Sequence, residues 1–200
     1  MTKVKICGLM EQKHVKTAVD AGADAIGFVF APSRRRVTIA KAQELAKDIP
    51  PGVLKIGVFV NASREEIEQT YREVPLDYVQ FHGNEDSVFI ESVALPSIKV
   101  LAVHSSEDTM QSVDYNTDYF LFDAPGTDFK GGSGMTFDWQ LMKSAGVPLE
   151  KVILAGGLNV DNVAQAIELV KPYMVDVSSG VESAGRKDEN LIRAFIKAVK

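Results

Sequence analysis

The sequence holds a single cysteine, Cys7, in 200 residues. No internal disulfide can form, so nothing calls for an oxidising compartment, and a reduced cytoplasm is the expected location. Long apolar runs are missing too: none approaches the roughly 20 residues that cross a bilayer. Met1-Thr2-Lys3-Val4-Lys5 leads into strand-like sequence with no signal-peptide apolar region, so neither export nor a membrane span is expected. An excess of positive charge is also lacking. A net charge of −5 and a pI near 5.3 repel nucleic acid and anionic membrane over most of the surface. With no charge block, low-complexity stretch or composition shift, a single domain over residues 1–200 is expected, and a 46% hydrophobic share supplies one sizeable core.

What the sequence does have is alternation. Short apolar runs alternate with longer stretches of helical period, the signature of repeated βα units around a parallel sheet. The expected strands are Val4 to Gly8, Ala25 to Phe30, Leu54 to Val60, Tyr78 to His82, Ile98 to His104, Tyr119 to Asp123, Val152 to Gly156 and Val175 to Ser179, each followed by a helix. Ser63 with Glu66 reads as a capping box, and Asn159 or Asp161 can cap the run Val163 to Val170. Gly22, Pro50, Pro75, Pro96, Gly146 and Pro172 fall where the chain must reverse before a strand. The link Ala124 to Met135 is too long for an ordinary strand-to-helix turn. Eight such units close most economically into a single (β/α)8 TIM barrel of the α/β class, which leaves no sheet edge unpaired. A doubly wound open sheet competes, but Cys7-Gly8-Leu9 lacks the further glycines of its fingerprint.

Strand alternation assigns faces. Val4 and Ile6, Val79 and Phe81, and Val175 and Val177 are expected against the helices, which sends Lys5, Cys7, Gln80, His82, Asp176 and Ser178 into the lumen. Several polar groups converging in an apolar barrel are better explained by a site than by packing. Cys7, His82, Asp123 and Ser179 stand at carboxyl ends of strands, the rim that carries chemistry in barrel enzymes.

The seventh strand ends in Leu154-Ala155-Gly156-Gly157-Leu158 and the eighth in Val177-Ser178-Ser179-Gly180-Val181. Glycines there let backbone N–H groups approach an anion, with helix N-terminal charge behind them. One such turn alone is only a tight turn. Two of them, at the seventh and eighth positions, point to phosphate held by Gly156, Gly157, Ser179 and Gly180. Across the mouth, Cys7 and Asp123 end strands three places apart in a ring of eight. A free cysteine thiol is only a few per cent ionised at neutral pH, so Lys5, two residues earlier on the same face, is expected to favour its thiolate.

The order of these motifs resembles phosphoribosylanthranilate isomerase, a family of tryptophan biosynthesis, along nearly the whole chain. The resemblance rests on Val4-Lys5-Ile6-Cys7-Gly8, Gly22 to Phe30, Gly57-Val58-Phe59-Val60-Asn61, Gln80-Phe81-His82-Gly83, Gly131-Gly132-Ser133-Gly134, Ala155-Gly156-Gly157-Leu158 and Asp176 to Glu182. It implies an Amadori rearrangement of N-(5-phosphoribosyl)anthranilate to 1-(2-carboxyphenylamino)-1-deoxyribulose 5-phosphate, with no cofactor and no metal. In that reaction Asp123 is the general acid at the furanose ring oxygen and Cys7 the base at C2′. Arg36 corresponds to the arginine that holds the anthranilate carboxylate, a pairing suited to a planar guanidinium. Arg34 and Arg35 are expected to add general attraction for an anionic substrate. Gln80, His82 and Asp176 are expected to line the substrate pocket, and Lys130 to Gly134 to form a cover over it.

Two other readings compete. Another phosphosugar barrel would show metal-ligating histidines on several strand ends, or a lysine-glutamate set, and neither pattern is apparent. A barrel that only binds a phosphorylated ligand has no use for Cys7 opposite Asp123. The expected partner is thus a small phosphorylated substrate, with neither nucleic acid nor membrane. A monomer is expected over a homodimer.

Overall fold

The computed structural model describes residues 1–124 and 138–200. Eight parallel strands, β1 (Lys3–Cys7), β2 (Ala25–Val29), β3 (Leu54–Phe59), β4 (Tyr78–Phe81), β5 (Ser97–Ala102), β6 (Tyr119–Asp123), β7 (Val152–Leu154) and β8 (Met174–Val177), close into a barrel in chain order. All eight expected strands are present. Most end one or two residues early, because the last residues of each expected run have already turned to form the rim.

The alternation of faces follows the pleat. Val4, Ile6, Val79, Phe81, Val175 and Val177 pack in the large layer between sheet and helices. A smaller inner layer fills the lumen with Ala25, Ile56, Ile98, Val100, Leu121, Ile153, Ala155 and Met174. Tyr78, Tyr119 and Tyr173 pack against it. Tyr119 stacks on Tyr173 with centroids 5.0 Å apart. The barrel is therefore a packed core over part of its height, and polar residues occupy only the remainder.

A recurring device sets the strand pairs. Asp24, Asp77 and Asp118 each immediately precede an even-numbered strand, and each carboxylate accepts a backbone N–H from the strand before it: Val4 at 2.8 Å, Lys55 at 2.7 Å and Ser97 at 2.8 Å. Three helix-strand corners are locked in the same way.

Helices α1 (Gln12–Asp20), α2 (Ile39–Ala46), α3 (Arg64–Glu73), α4 (Ser87–Val93), α5 (Ser106–Met110), α6 (Val163–Val170) and α7 (Glu189–Val199) surround the sheet. Ser63 caps α3 by accepting from the Glu66 N–H at 3.2 Å. Neither Asn159 nor Asp161 is the cap of α6. Asn162 takes that position, because the Asn159 Oδ1 is occupied in the preceding turn by the N–H groups of Asp161 and Asn162.

Among the described residues, the helix expected after β6 is not seen. The described continuation of the strand has only the 3-10 turns Trp139–Ser144 and Leu149–Lys151. Gly146 and Pro148 leave too few residues between these turns for an α-helix to propagate. After β8 comes a second unexpected element, a 3-10 turn at Ser179–Val181 followed by the two-stranded ribbon β9 (Glu182–Ser183) and β10 (Arg186–Lys187). Ala184 and Gly185, at φ of 49° and 77°, form its two-residue turn, and the register sets Lys187 opposite Glu182.

Candidate active site

The lumen polar group starts from register. Lys5 on β1 lies beside Asp176 on β8, and its Nζ donates to Asp176 Oδ2 and to Gln80 Oε1 on β4, both at 3.0 Å. Lys5 is fully buried. Burial works against its charge, but the adjacent Asp176 carboxylate and Cys7 prevail and hold its pKa above the ordinary value. Asp176 Oδ1 is buried with no hydrogen-bond partner among the described residues. A buried acceptor left open is costly unless something else fills it.

Two residues beyond Lys5 on the same face the rim begins. Cys7 pairs in register with Gly27 of β2. A Cβ on Gly27 would lie 2.8 Å from the Cys7 Sγ and 3.1 Å from its Cα, so the glycine supplies the space the sulfur occupies. Gly27→Ala is expected to push the sulfur aside and lower kcat about tenfold or more, at a stability cost of about 1–3 kcal/mol. Steady-state rates on the folded variant check this, and parental kcat would show that the sulfur needs no such room.

Burial pushes the Cys7 thiol above its ordinary pKa; Lys5 opposes that shift, Asp176 reinforces it and Lys187 opposes it. Lys5 thus acts in the direction expected from sequence, but its effect does not prevail.

Asp123 at the end of β6 has 9% of its surface exposed. Its pKa is raised to about 7 by burial and then by the Asp176 carboxylate, with the Ala124 backbone N–H and Lys5 pulling the other way. A carboxyl so placed keeps a substantial protonated fraction at neutral pH. His82, following β4, brings Nε2 to 3.6 Å from Asp123 Oδ2, and its Nδ1 lies 3.4 Å from Gln80 Nε2. Gln80, His82, Asp123, Asp176 and Lys5 therefore form one connected polar layer beneath and beside the mouth.

The expected phosphate turns border the same mouth. Gly156 and Gly157 take φ of 81° and 66°, which side-chain-bearing residues rarely adopt. A Cβ on Gly156 would collide with the backbone N of Ala124, so this turn abuts the residue after the candidate acid. A Cβ on Gly180 would collide with the Leu158 carbonyl, so the two turns also abut each other. Ser179 opens the short 3-10 turn after β8, which offers free N–H groups to an anion.

Arg36 lies just past β2, bridged to Val29 and exposed, and its guanidinium makes no ion pair among the described residues. Arg34 and Arg35 behave differently from the expected free positive charge. Arg35 forks onto Glu182 with Nε at 2.6 Å and Nη2 at 3.0 Å, and Arg34 reaches the same carboxylate at 2.8 Å.

The candidate cover, Lys130 to Gly134, lies outside the described residues. Among the described residues no three His, Cys, Asp or Glu side chains gather as a metal ion would need. No described helix is long and apolar enough to cross a membrane.

Sequence reasoning missed Glu182 and Lys187. Lys187 Nζ pairs with Glu182 Oε1 at 3.0 Å, and donates to Ser178 O at 2.7 Å and Ser178 Oγ at 3.2 Å. Ala184-Gly185, a turn dipeptide between short runs, was the signal for the ribbon that pairs them.

Comparison with known proteins is consistent along the whole chain. A family model described as N-(5'phosphoribosyl)anthranilate (PRA) isomerase matches residues 4–198. An N-(5'-phosphoribosyl)anthranilate isomerase of Bacillus thuringiensis (strain Al Hakam) is 50% identical over 199 residues, covering 99% of this chain and 98% of that protein. A crystal structure of phosphoribosyl anthranilate isomerase in complex with reduced 1-(o-carboxyphenylamino)-1-deoxyribulose 5-phosphate superposes with a TM-score of 0.86 at 36% identity, covering 99% of this chain and 98% of the other. Monomers generated from the dimeric phosphoribosylanthranilate isomerase of Thermotoga maritima give 0.87 at 35% identity with the same coverage.

Proposed function

The chain belongs to the N-(5'-phosphoribosyl)anthranilate isomerase family, and from that premise we propose that Asp123 and Cys7 carry its Amadori rearrangement as general acid and general base. The substrate is N-(5-phosphoribosyl)anthranilate and the product 1-(2-carboxyphenylamino)-1-deoxyribulose 5-phosphate, a step of tryptophan biosynthesis. The observation that carries the assignment of roles is Asp123: a buried carboxyl with a pKa of about 7, next to a glycine turn suited to phosphate.

The phosphate anchors one end of the sugar at Gly156, Gly157, Ser179 and Gly180, and the Arg36 guanidinium takes the anthranilate carboxylate at the other. The Asp123 carboxyl gives its proton to the ring oxygen as the C1′–O bond breaks, and the nitrogen lone pair forms the Schiff base. Cys7 thiolate takes the C2′ proton. The electrons of that C–H bond form the C1′–C2′ double bond while those of the C1′=N double bond return to the nitrogen, giving an enolamine that tautomerises to the ketone. The open Oδ1 of Asp176 is an acceptor for a sugar hydroxyl, while Gln80 and His82 line the pocket and hold Lys5 and Asp123 in place. Chain 1–200 acts as one catalytic domain in the cytoplasm, as a monomer. The dimer named for the Thermotoga maritima relative is the alternative that sedimentation decides.

Loss of phosphoribosylanthranilate fluorescence measures the reaction directly. Cys7→Ser and Asp123→Asn are both expected to fall far below the parent, and unchanged rates in the two would refute the roles given to them.

A further inference from the structure

The Cys7 turn is enclosed by a buried ionic group that the acid-base pair does not itself use. Ser178 Oγ donates to the Cys7 carbonyl at 3.2 Å. Lys187 Nζ grips the Ser178 carbonyl at 2.7 Å and reaches its hydroxyl at 3.2 Å. Gly8 sits at φ 76°, and a Cβ there would lie 2.6 Å from Arg35 Cδ and 3.4 Å from Ser178 Oγ, so Arg35 lies across the backbone that follows the sulfur. Glu182 joins the parts by accepting from Arg34, Arg35 and Lys187 at once.

We infer that Lys187 is a positioning residue for the base: held opposite Glu182 by the ribbon, its ammonium ties the phosphate turn at Ser178 to the backbone of Cys7 and stands beside the thiol as a second cation. The inference rests on the reading of Cys7 as the base. Three charged groups act on the thiol, Lys5 from β1, Asp176 from β8 and Lys187 from β10. Lys5 is directly paired with Asp176, which opposes it at the thiol, so part of its positive field there is cancelled. Lys187 is paired with Glu182, but that one carboxylate also takes Arg34 and Arg35, so the group of four keeps an excess of positive charge. Burial lowers the pKa of Lys187 itself, and Glu182 and Cys7 act to keep it charged. Phosphate seated at Ser179 and Gly180 would then also fix Ser178, and through it the place of the base.

Lys187→Met tests this without orphaning a buried charge, because Glu182 keeps both guanidiniums. Cys7 is the only cysteine, so alkylation rate against pH reads the titration of one thiol. Lys187→Met is expected to lower kcat by about 10–100-fold and to move the thiol titration up by roughly one pH unit, while Lys187→Arg returns the titration toward the parent. A merely structural lysine would move the melting temperature and leave the thiol titration where it was. The inference is overturned if titration and kcat in Lys187→Met both stay within about twofold of the parent while Cys7→Ser is inactive. Should Lys187→Met fail to fold, Ser178→Ala, which removes only the hydroxyl link, is expected to lower kcat in the same direction, and parental kcat there overturns it as well. A fully active Cys7→Ser would instead remove the base assignment on which the inference stands.

Discussion

Asp123→Asn is expected to cut kcat/KM by about 10²–10⁴-fold and yet to leave the protein more stable than the parent above neutral pH. The two effects share one cause. Asp123 is buried near Asp176, so its carboxyl binds a proton more tightly in the folded chain, at a pKa of about 7, than the ordinary value of 3.8. A folded-state pKa above the unfolded one means that this group contributes most below pH 4, and that its contribution is lost as pH rises toward 7. Above 7 the parent carries the full penalty of a buried carboxylate, on the order of 4 kcal/mol for a shift of this size. Asn is neutral throughout, so its advantage appears between pH 4 and 7 and holds beyond. It cannot give the ring oxygen a proton.

The parent's kcat/KM profile should be a bell. Its acid limb lies near 7, from Asp123, and its alkaline limb comes from a thiol that burial holds above its usual range. The active form has the proton on Asp123 and none on Cys7, a minor arrangement of the singly protonated site. Asp123→Asn should lose the limb near 7, leaving a rate that climbs with pH through the thiol titration. An imidazole ordinarily titrates at about 6.5, and His82 stands 3.6 Å from this carboxyl. The limb therefore belongs to Asp123 only if it vanishes in that variant. A variant that keeps the limb, or melts below the parent at pH 8, would contradict the assignment.

The barrel was legible because period-two alternation and turn residues are local properties. Val4 and Ile6 outward with Lys5 and Cys7 inward follows from the pleat alone, and closure follows from counting units. Asp123 and Gly156 could be placed on the same rim for the same reason, but the contact between Gly156 and Ala124 could not. It depends on how two loops pack. Among the described residues after β6 the local signals compete: the run from Trp139 has helical composition, and Gly146 and Pro148, soon after it, limit its length. Arg34 and Arg35 read as free charge because their partner, Glu182, is nearly 150 positions away. No spacing rule connects residues that far apart, and the ribbon that brings Glu182 to them is two residues per strand. The strength of the thiol's burial was illegible for a similar reason, since desolvation is a property of everything packed around it.

Lys99→Met is expected to destabilise the fold by about 3–5 kcal/mol, although Lys99 takes no part in the chemistry. Lys99 alternates on β5 with Ile98 and Val100 of the lumen, so its side chain leaves the barrel on the outer face. It is 3% exposed and donates to the Gly83 carbonyl at 3.1 Å and the Glu85 carbonyl at 3.0 Å, with the Glu85 carboxylate at 3.4 Å. That carboxylate also accepts the N–H groups of Asn61 at 2.6 Å and Gly83 at 2.8 Å, joining the loops after β3 and β4. Removing the ammonium leaves Glu85 ionised inside the protein, and the cost is set by that orphaned charge more than by the lost attraction. A Glu85→Gln/Lys99→Met pair should therefore be less destabilised than the sum of its single changes. For a chain of this size the loss corresponds to roughly 6–20 °C in melting temperature. Because Gly83 directly follows His82, loosening this clamp should also let the ring drift from Asp123, so kcat measured well below the melting point should fall with KM for the phosphorylated substrate less affected. A Lys99→Met protein melting within a degree or two of the parent would mean that Glu85 finds another cation or takes up a proton, and a pH-dependent melt would tell those two apart: protonation makes the variant regain stability as pH falls, and a replacement cation does not.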